Sequence, residues 1–159
     1  MLIHLIRHAH AGSRKGWSGE DNKRPLSDRG LAQSEAIAAA LANAGVDRLW
    51  SSSFVRCVQT LEPLGRHLGI SVYPFAELAE GGSGRKALDA LLEAAAAGHT
   101  VAASSHGDVI PAIIDAAVQA GATLDGPSSP RKGARYELTV EGTKVKSIHH
   151  IDPPPTNSR

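Results

Sequence analysis

The chain has 159 residues, 42% of them hydrophobic and 21% charged, the balance of one soluble globular domain large enough to bury a core. A formal net charge of +1 leaves no field of one sign for nucleic acid or a membrane surface, so any anion must be recognised by local placement of charge. Cys57 is the only cysteine, which excludes an intramolecular disulfide and a thiolate metal cluster.

Leu2 to Ile6 is too short for a helix and rich in branched apolar side chains, which predicts a buried strand with Arg7 and His8 at its carboxyl end. This apolar run has no basic segment before it and passes straight into Arg7-His8. It therefore does not read as a signal peptide, and nothing reaches membrane-spanning length; the expected address is a reducing cytoplasm. Residues 11 to 26 are polar, contain Gly12, Gly16, Gly19 and Pro25 around an isolated Trp17, and read as a long surface loop. Ser27 is placed to cap a helix of about Asp28 to Ala44, with Leu31, Ile37, Ala38 and Leu41 as its apolar stripe and Gly45 as its stop. Val46 to Ser51 predicts a second strand. A helix of about Phe54 to Leu68 follows, capped by Ser53, ended by Gly69, and kinked or broken at Pro63.

Ile70 to Tyr73 predicts a third strand, and the glycines between Pro74 and Arg85 a mobile or sharply turned loop. An alanine-rich helix of about Arg85 to Ala97 ends at Gly98, and Thr100 to Ser104 is a fourth strand. Ser105-His106-Gly107-Asp108 leads into a helix of about Val109 to Ala120, with Pro111 in its first turn. Gly121 to Gly133 reads as a loop rich in glycine and proline. Tyr136 to Val140 and Lys144 to Ile148 alternate about Glu141-Gly142 and predict a hairpin. Three consecutive prolines lie beyond Asp152, so residues 152–159 are expected to form a disordered tail and residues 1–151 one domain. The alternation of strands and helices predicts a three-layer α/β/α sandwich, its sheet mostly parallel with an antiparallel edge member. Arg7-His8, Ser53-x-x-Arg56 and Ser105-His106 then share the carboxyl edge of one sheet, where ligands bind in such folds.

Two arginines and two histidines on one rim suit phosphoryl transfer. Guanidinium forks neutralise and orient the equatorial oxygens of the transferring group. An imidazole attacks phosphorus in line and holds it covalently, and cationic neighbours keep that imidazole neutral. Such chemistry requires no metal or other cofactor. His4, His8 and His10 do share one face of an extended segment, a spacing that metal ligands use, but Arg7 stands among them and neither a cysteine nor a carboxylate cluster completes the set. His4 reads as a satisfied histidine in or beside the core. Cys57 reads as a small buried residue.

Four stretches, Leu5-Ile6-Arg7-His8-Ala9, Arg24-Pro25-Leu26-Ser27-x-x-Gly30, Ser51-Ser52-x-x-x-Arg56-Cys57-x-Gln59-Thr60 and Ser105-His106-Gly107-Asp108, resemble the histidine phosphatase superfamily in order and spacing. The resemblance is nearest to the short branch named for the phosphohistidine phosphatase SixA, and implies the phosphoglycerate mutase-like fold. It implies His8 as the phosphorylated nucleophile, with Arg7, Arg56 and His106 completing a phosphate pocket. Ala9 stands where many members have glycine. Leu78-x-Glu80-x-x-x-Gly84 resembles the stretch that carries the family's acid, so Glu80 is the first candidate for proton donor, with Glu77 and Asp108 as alternatives and a branch without a dedicated carboxyl as a further one. Ala11-Gly12-Ser13-Arg14-x-x-Trp17 and Asp21-x-x-Arg24 are also similar to the phosphatase domain that some actinobacterial proteins join to a Nudix domain; the sequence contains no Nudix box.

The expected activity is that of a metal-independent phosphomonoesterase. Its expected partner is a phosphorylated substrate, either a phosphohistidine protein or a small phosphate ester or nucleotide. A phosphosugar mutase and a non-catalytic phosphate-binding module are the alternatives. Arg24, Lys15 and Trp17 are further substrate-binding candidates, with Arg14, Arg131 and Lys132 as possible sites for additional phosphates. For Arg24 the competing reading is an anchor for its loop, and for Trp17 one that packs the loop down. The sequence leaves the oligomeric state open.

Overall fold

Leu2–Arg7 forms β1, the strand about which the sheet is arranged in the computed structural model, which describes residues 1–156. The remaining elements in chain order are α1 (Asp28–Leu41), β2 (Arg48–Ser51), α2 (Val55–Leu68), β3 (Val72–Pro74), α3 (Gly84–Ala96), β4 (Val101–Ser105), α4 (Val109–Gln119), β5 (Thr123–Asp125), β6 (Arg135–Glu141) and β7 (Lys144–Ile151). The strands form one seven-stranded sheet in the order β3-β2-β4-β1-β6-β7-β5. Alternation along β1 sorts its side chains. Ile3 and Leu5 enter a core with residues of α3 and α4, whereas Ile6 enters a second core with Ile37, Leu41, Leu61 and Leu64 of α1 and α2. The result is the expected α/β/α sandwich.

β1 pairs with β4 in parallel, with Arg7 opposite Ser105, and the next amide continues the ladder, His8 N–H donating to Ser105 O at 3.0 Å. This register brings His8 and His106 to the same sheet edge. The antiparallel strand is β6, and it lies inside the sheet rather than at the expected edge, because β1 pairs with one side of it and β7 with the other, while β5 pairs in parallel with β7 and forms the border. β5 lies within what the sequence presents as a loop: three residues between Gly121 and Gly126-Pro127 carry too little periodicity to announce a strand.

Helix ends differ from the expected ones for local reasons. α1 begins after Ser27, whose Oγ accepts from Gly30 N–H, and stops at Leu41 with the last residue of its apolar stripe. Gly30 is required there, since a Cβ would overlap the His10 carbonyl oxygen. α2 is capped at Phe54 rather than Ser53, while Ser52 Oγ accepts from Phe54 N–H. Pro63 does not break the helix; it lies buried within α2, which continues to Leu68 although Pro63 has no N–H to donate. One-turn 3-10 segments at Arg14–Gly16, Asp21–Lys23 and Ala76–Leu78 organise the two long loops. Residues 152–156 run without regular secondary structure, and Pro153 lines a cleft with His10 and Lys132. The rest of the expected disordered tail, residues 157–159, lies outside the described residues. Among the described residues no helix is long and apolar enough to cross a membrane.

Candidate active site

A cavity of about 490 Å³ opens at the carboxyl edge of β1 and β4, lined on its floor by Arg7, His8, Arg56 and His106 and toward its rim by Arg14, Arg24, Glu80 and Lys132. The four floor residues predicted from sequence are therefore together, and the rings of His8 and His106 lie edge to face at 5.5 Å. His8 is 4% exposed. Its Nδ1 lies 2.8 Å from Ala9 O, an atom that only accepts, so Nδ1 carries the proton and Nε2 keeps its lone pair for the cavity. Burial, helped by the nearby Arg56, His106 and Arg7, pushes the His8 imidazole down to about 3 against the opposing pull of the Ala9 carbonyl. The ring is neutral at any ordinary pH.

His106 follows β4 directly. Ser52 Oγ, which accepts from Phe54 N–H, lies 2.8 Å from His106 Nε2 and has its own O–H free to donate there. When Ser52 donates to Nε2, the His106 proton stands on Nδ1, the nitrogen 3.9 Å from Glu80 Oε2. Burial, and then Arg56, lower His106 to about 4. Cys57 Sγ approaches His106 Nε2 at 3.4 Å, and burial pushes this thiol up to about 12, in keeping with a packing residue rather than a reactive thiolate.

The arginines are held before any anion arrives. Arg7 Nη1 donates to Pro130 O at 2.7 Å, and its guanidinium lies so close to Gly107 that a Cβ there would be 2.8 Å from Cζ. Arg56, only 2% exposed on the first turn of α2, donates from Nη1 to Asp21 O and from Nη2 to both Asp21 Oδ2 and Glu80 Oε2, each carboxylate at 3.1 Å. Arg14 closes the arrangement, with Nη2 on Glu80 Oε1 at 3.1 Å and Nε 3.4 Å from Asp21 Oδ1. Asp21 thus touches Arg14, Arg24 and Arg56, and those contacts outweigh its partial burial to hold its carboxyl below the usual range. Sequence reading quoted Asp21 only as part of a motif; its position three residues before Arg24 was the one available signal.

The acid candidates separate by position. Glu80 lines the cavity and accepts from guanidinium groups on both oxygens. Asp108 lines the rim and accepts from Gly81 N–H at 2.9 Å, fixing the loop that carries Glu80. Glu77 does not line the cavity; its carboxylate accepts from Ser83 N–H within the same loop. Arg24 lines the cavity and also braces its loop, donating from Nη1 to Ala11 O and Gly12 O and from Nε to Asp21, so both readings of it hold in part. Lys15 and Trp17, expected near the substrate, do not line this cavity. Lys15 is exposed on a turn capped by Ser13 Oγ. Trp17 lines a neighbouring cleft, donates from Nε1 to Glu20 O, and lies over Gly19, packing its own loop. His4 is buried as expected but not satisfied: neither ring nitrogen has a hydrogen-bond partner, and Glu137 Oε2 stands 3.9 Å away. Among the described residues no group of three or more His, Cys, Asp or Glu side chains is placed to hold a metal ion.

The chain matches the family model of the histidine phosphatase superfamily (branch 1) over residues 3–86, more than half its length, and belongs to that superfamily. Among particular proteins it is 31% identical over 153 residues to the 8-oxo-(d)GTP phosphatase of Mycolicibacterium smegmatis, a match covering 94% of this chain and 48% of that protein. The chain therefore spans about half the length of the curated relative it matches. It superposes on the protein histidine phosphatase SixA complexed with tungstate with a TM-score of 0.73, at 24% identity and 89% coverage of each chain. A mycobacterial glucosyl-3-phosphoglycerate phosphatase complexed with VO3 gives a TM-score of 0.70 at 15% identity, covering 96% of this chain and 99% of that one. At these identities the two structures establish likeness of fold.

Proposed function

We propose that this chain is a metal-independent phosphatase in which His8 takes a phosphoryl group from a phosphorylated substrate and passes it to water. The observation that carries the reading is the His8 ring: buried, neutral, its Nδ1 proton committed to Ala9 O, and its Nε2 lone pair left for a cavity floored by Arg7, Arg56 and His106. The guanidinium groups and the His106 Nδ1 proton bind and neutralise the equatorial oxygens, more strongly as charge develops on them. His8 Nε2 forms a bond to phosphorus while the bond to the leaving oxygen breaks, and that oxygen takes the electron pair. Water then attacks the phosphoimidazole, the N–P bond breaks, and orthophosphate leaves with His8 neutral again. Glu80 is the carboxyl placed to serve the leaving group; giving a proton there requires that Arg14 or Arg56 release one of its oxygens.

The substrate class that fits is a phosphohistidine protein or a small phosphorylated metabolite or nucleotide, met in a reducing cytoplasm. The relatives named above support both kinds of substrate, one by its name as an 8-oxo-(d)GTP phosphatase and one as a protein histidine phosphatase. The test is hydrolysis of an aryl phosphate in the presence of EDTA. Turnover is expected in the wild type, and His8→Ala should lower kcat by on the order of 10³-fold or more. Undiminished turnover in that variant overturns the role of His8, while tight phosphate binding without turnover in the wild type favours a binding module.

A further inference from the structure

We infer that a second anion subsite adjoins the phosphoryl cavity and takes a second phosphate of the same substrate, so that the preferred ligand is a terminal diphosphate ester. This deepens the reading above and rests on it for the chemical step. The subsite is a cleft of about 280 Å³ lined by His10, Arg29, Gln33, Arg131, Lys132 and Pro153, and Lys132 also lines the phosphoryl cavity. Lys132 therefore stands in the wall that the two spaces share. In a diphosphate a single bridging oxygen separates the phosphorus atoms, and in the proposed complex the inner phosphate sits at that wall when the terminal phosphoryl lies over His8.

The charges set this cleft apart from the cavity beside it. Of the cavity's four arginines, Arg14, Arg24 and Arg56 each have a carboxylate partner, while Arg7 has none among the described residues. Arg29, Arg131 and Lys132 have none among the described residues, and no Asp or Glu lines their cleft. Lys132 is half-buried, and its ammonium is disfavoured first by that burial and then by Arg7, Arg24, Arg56 and Arg14. The charged form of His10 is disfavoured first by burial and then by Lys132 and Arg29. Cations gathered without counter-charge repel one another, and an entering anion relieves that repulsion as well as making its own contacts.

The cleft is also built rather than incidental. Arg7 Nη1 bonds Pro130 O at 2.7 Å, Gly133 N–H donates to His8 O at 3.1 Å, and Arg7 N–H donates to Ala134 O at 3.0 Å, so Arg131 and Lys132 sit between two anchors on the strand that carries His8. On the opposite wall, Gln33, 2% exposed, accepts His10 N–H at 2.9 Å, and Ser27 Oγ lies 2.6 Å from His10 Nδ1. Substrate geometry also fits what Glu80 does. As His8 Nε2 bonds to the terminal phosphorus, the bond to the bridging oxygen breaks, and that oxygen keeps the electron pair as part of a phosphate monoester held by Lys132 and Arg131. Such a leaving group departs as an anion and needs no proton from Glu80, whose two oxygens are engaged. Water then completes the cycle, one water being consumed for each orthophosphate and monoester formed.

The experiment is calorimetric binding of inorganic pyrophosphate and orthophosphate to the intact chain, with both also used as inhibitors of aryl phosphate hydrolysis. Wild type is expected to bind pyrophosphate at least about tenfold more tightly than orthophosphate. In R29A/R131A, both exposed positions, and in Arg131→Glu, that ratio should fall to about twofold or less. K144A/K146A removes two charges from the far hairpin and should keep the ratio, separating local contact from the overall field. Equal affinity for the two anions in wild type, or an unchanged ratio in R29A/R131A and Arg131→Glu, overturns the subsite. Loss of the ratio in K144A/K146A overturns it too. Failure of the phosphatase reading is a different result, namely pyrophosphate preference without turnover of any phosphate ester.

Discussion

His8 and His106 reach the cavity from neighbouring strand ends whose register is set by the β1–β4 ladder, whereas Arg14 and Glu80 reach it from two loops that their ion pair joins, with Asp21 behind them on Arg14 and Arg56. The difference in burial is large: Arg56 and His8 are 2% and 4% exposed, but Asp21 and Glu80 are 36% and 37% exposed on their side chains. The floor is thus positioned by the same forces that fold the chain, and the rim by solvent-screened contacts worth little each. On the proposed mechanism, floor residues set whether chemistry occurs, and rim residues set which substrates it accepts.

Substitutions can break or sharpen that contrast. After His8→Ala, the largest expected loss is in Arg56→Ala, which removes a floor donor and takes one guanidinium partner from Asp21 and from Glu80; aryl phosphate kcat/KM should fall by about 10²- to 10³-fold. Glu80→Gln should depend on the leaving group, with a loss of about 10²-fold for an alkyl phosphate and little change for an aryl phosphate or a diphosphate, read from kcat on the three substrates. An equal loss on all three would place Glu80 with the floor. Asp21→Asn keeps the shape but not the charge that holds three arginines, and is expected to lower kcat/KM by about three- to tenfold, more at low salt than at high. Tighter vanadate binding in that variant would instead mark Asp21 as a competitor of the substrate.

The smallest effect is on stability. His8 and His106 are lowered to about 3 and about 4 in the folded chain, below the ordinary histidine value of about 6.5. Between those limits the unfolded chain binds more protons, so stability rises with pH and is lost as pH falls from about 6.5 toward 4. Melting temperatures measured across pH 7 to 4 should decline by several degrees, on the order expected of a few kcal/mol in a domain this size, and His8→Gln should flatten the slope.

Most of the floor was legible in the sequence because apolar strands announce their own ends. Arg7-His8 follows Leu2 to Ile6 directly, and His106 follows Val101 to Ser105 just as closely, so the residues past the strand ends could be named without knowing any contact. The rim residues Arg14, Arg24, Glu80 and Lys132 were named as well, but how they meet was not legible, for the converse reason. Asp21 meets Arg56 across 35 positions of chain, and Lys132 enters the cavity through backbone anchors at Pro130 and Gly133 that no side-chain pattern encodes. Lys15 and Trp17 carried the right chemistry on a loop whose path propensity does not set. Pro63 shows the reverse case, in which a strong local signal gave way to packing, since the buried face of α2 is continuous through it.

The interior place of β6 bears on how copies of this chain meet one another. The sheet ends on both sides in three-residue strands, β3 and β5, and β3 terminates in Pro74, which has no N–H to offer. An approaching strand finds little backbone to join at either border. Loss of β5 would change that, because it covers the eight-residue β7 at Ser147, Ile148 and His149. The short strand hidden between Gly121 and Gly126 thus guards the longest potential template for aggregation at that border.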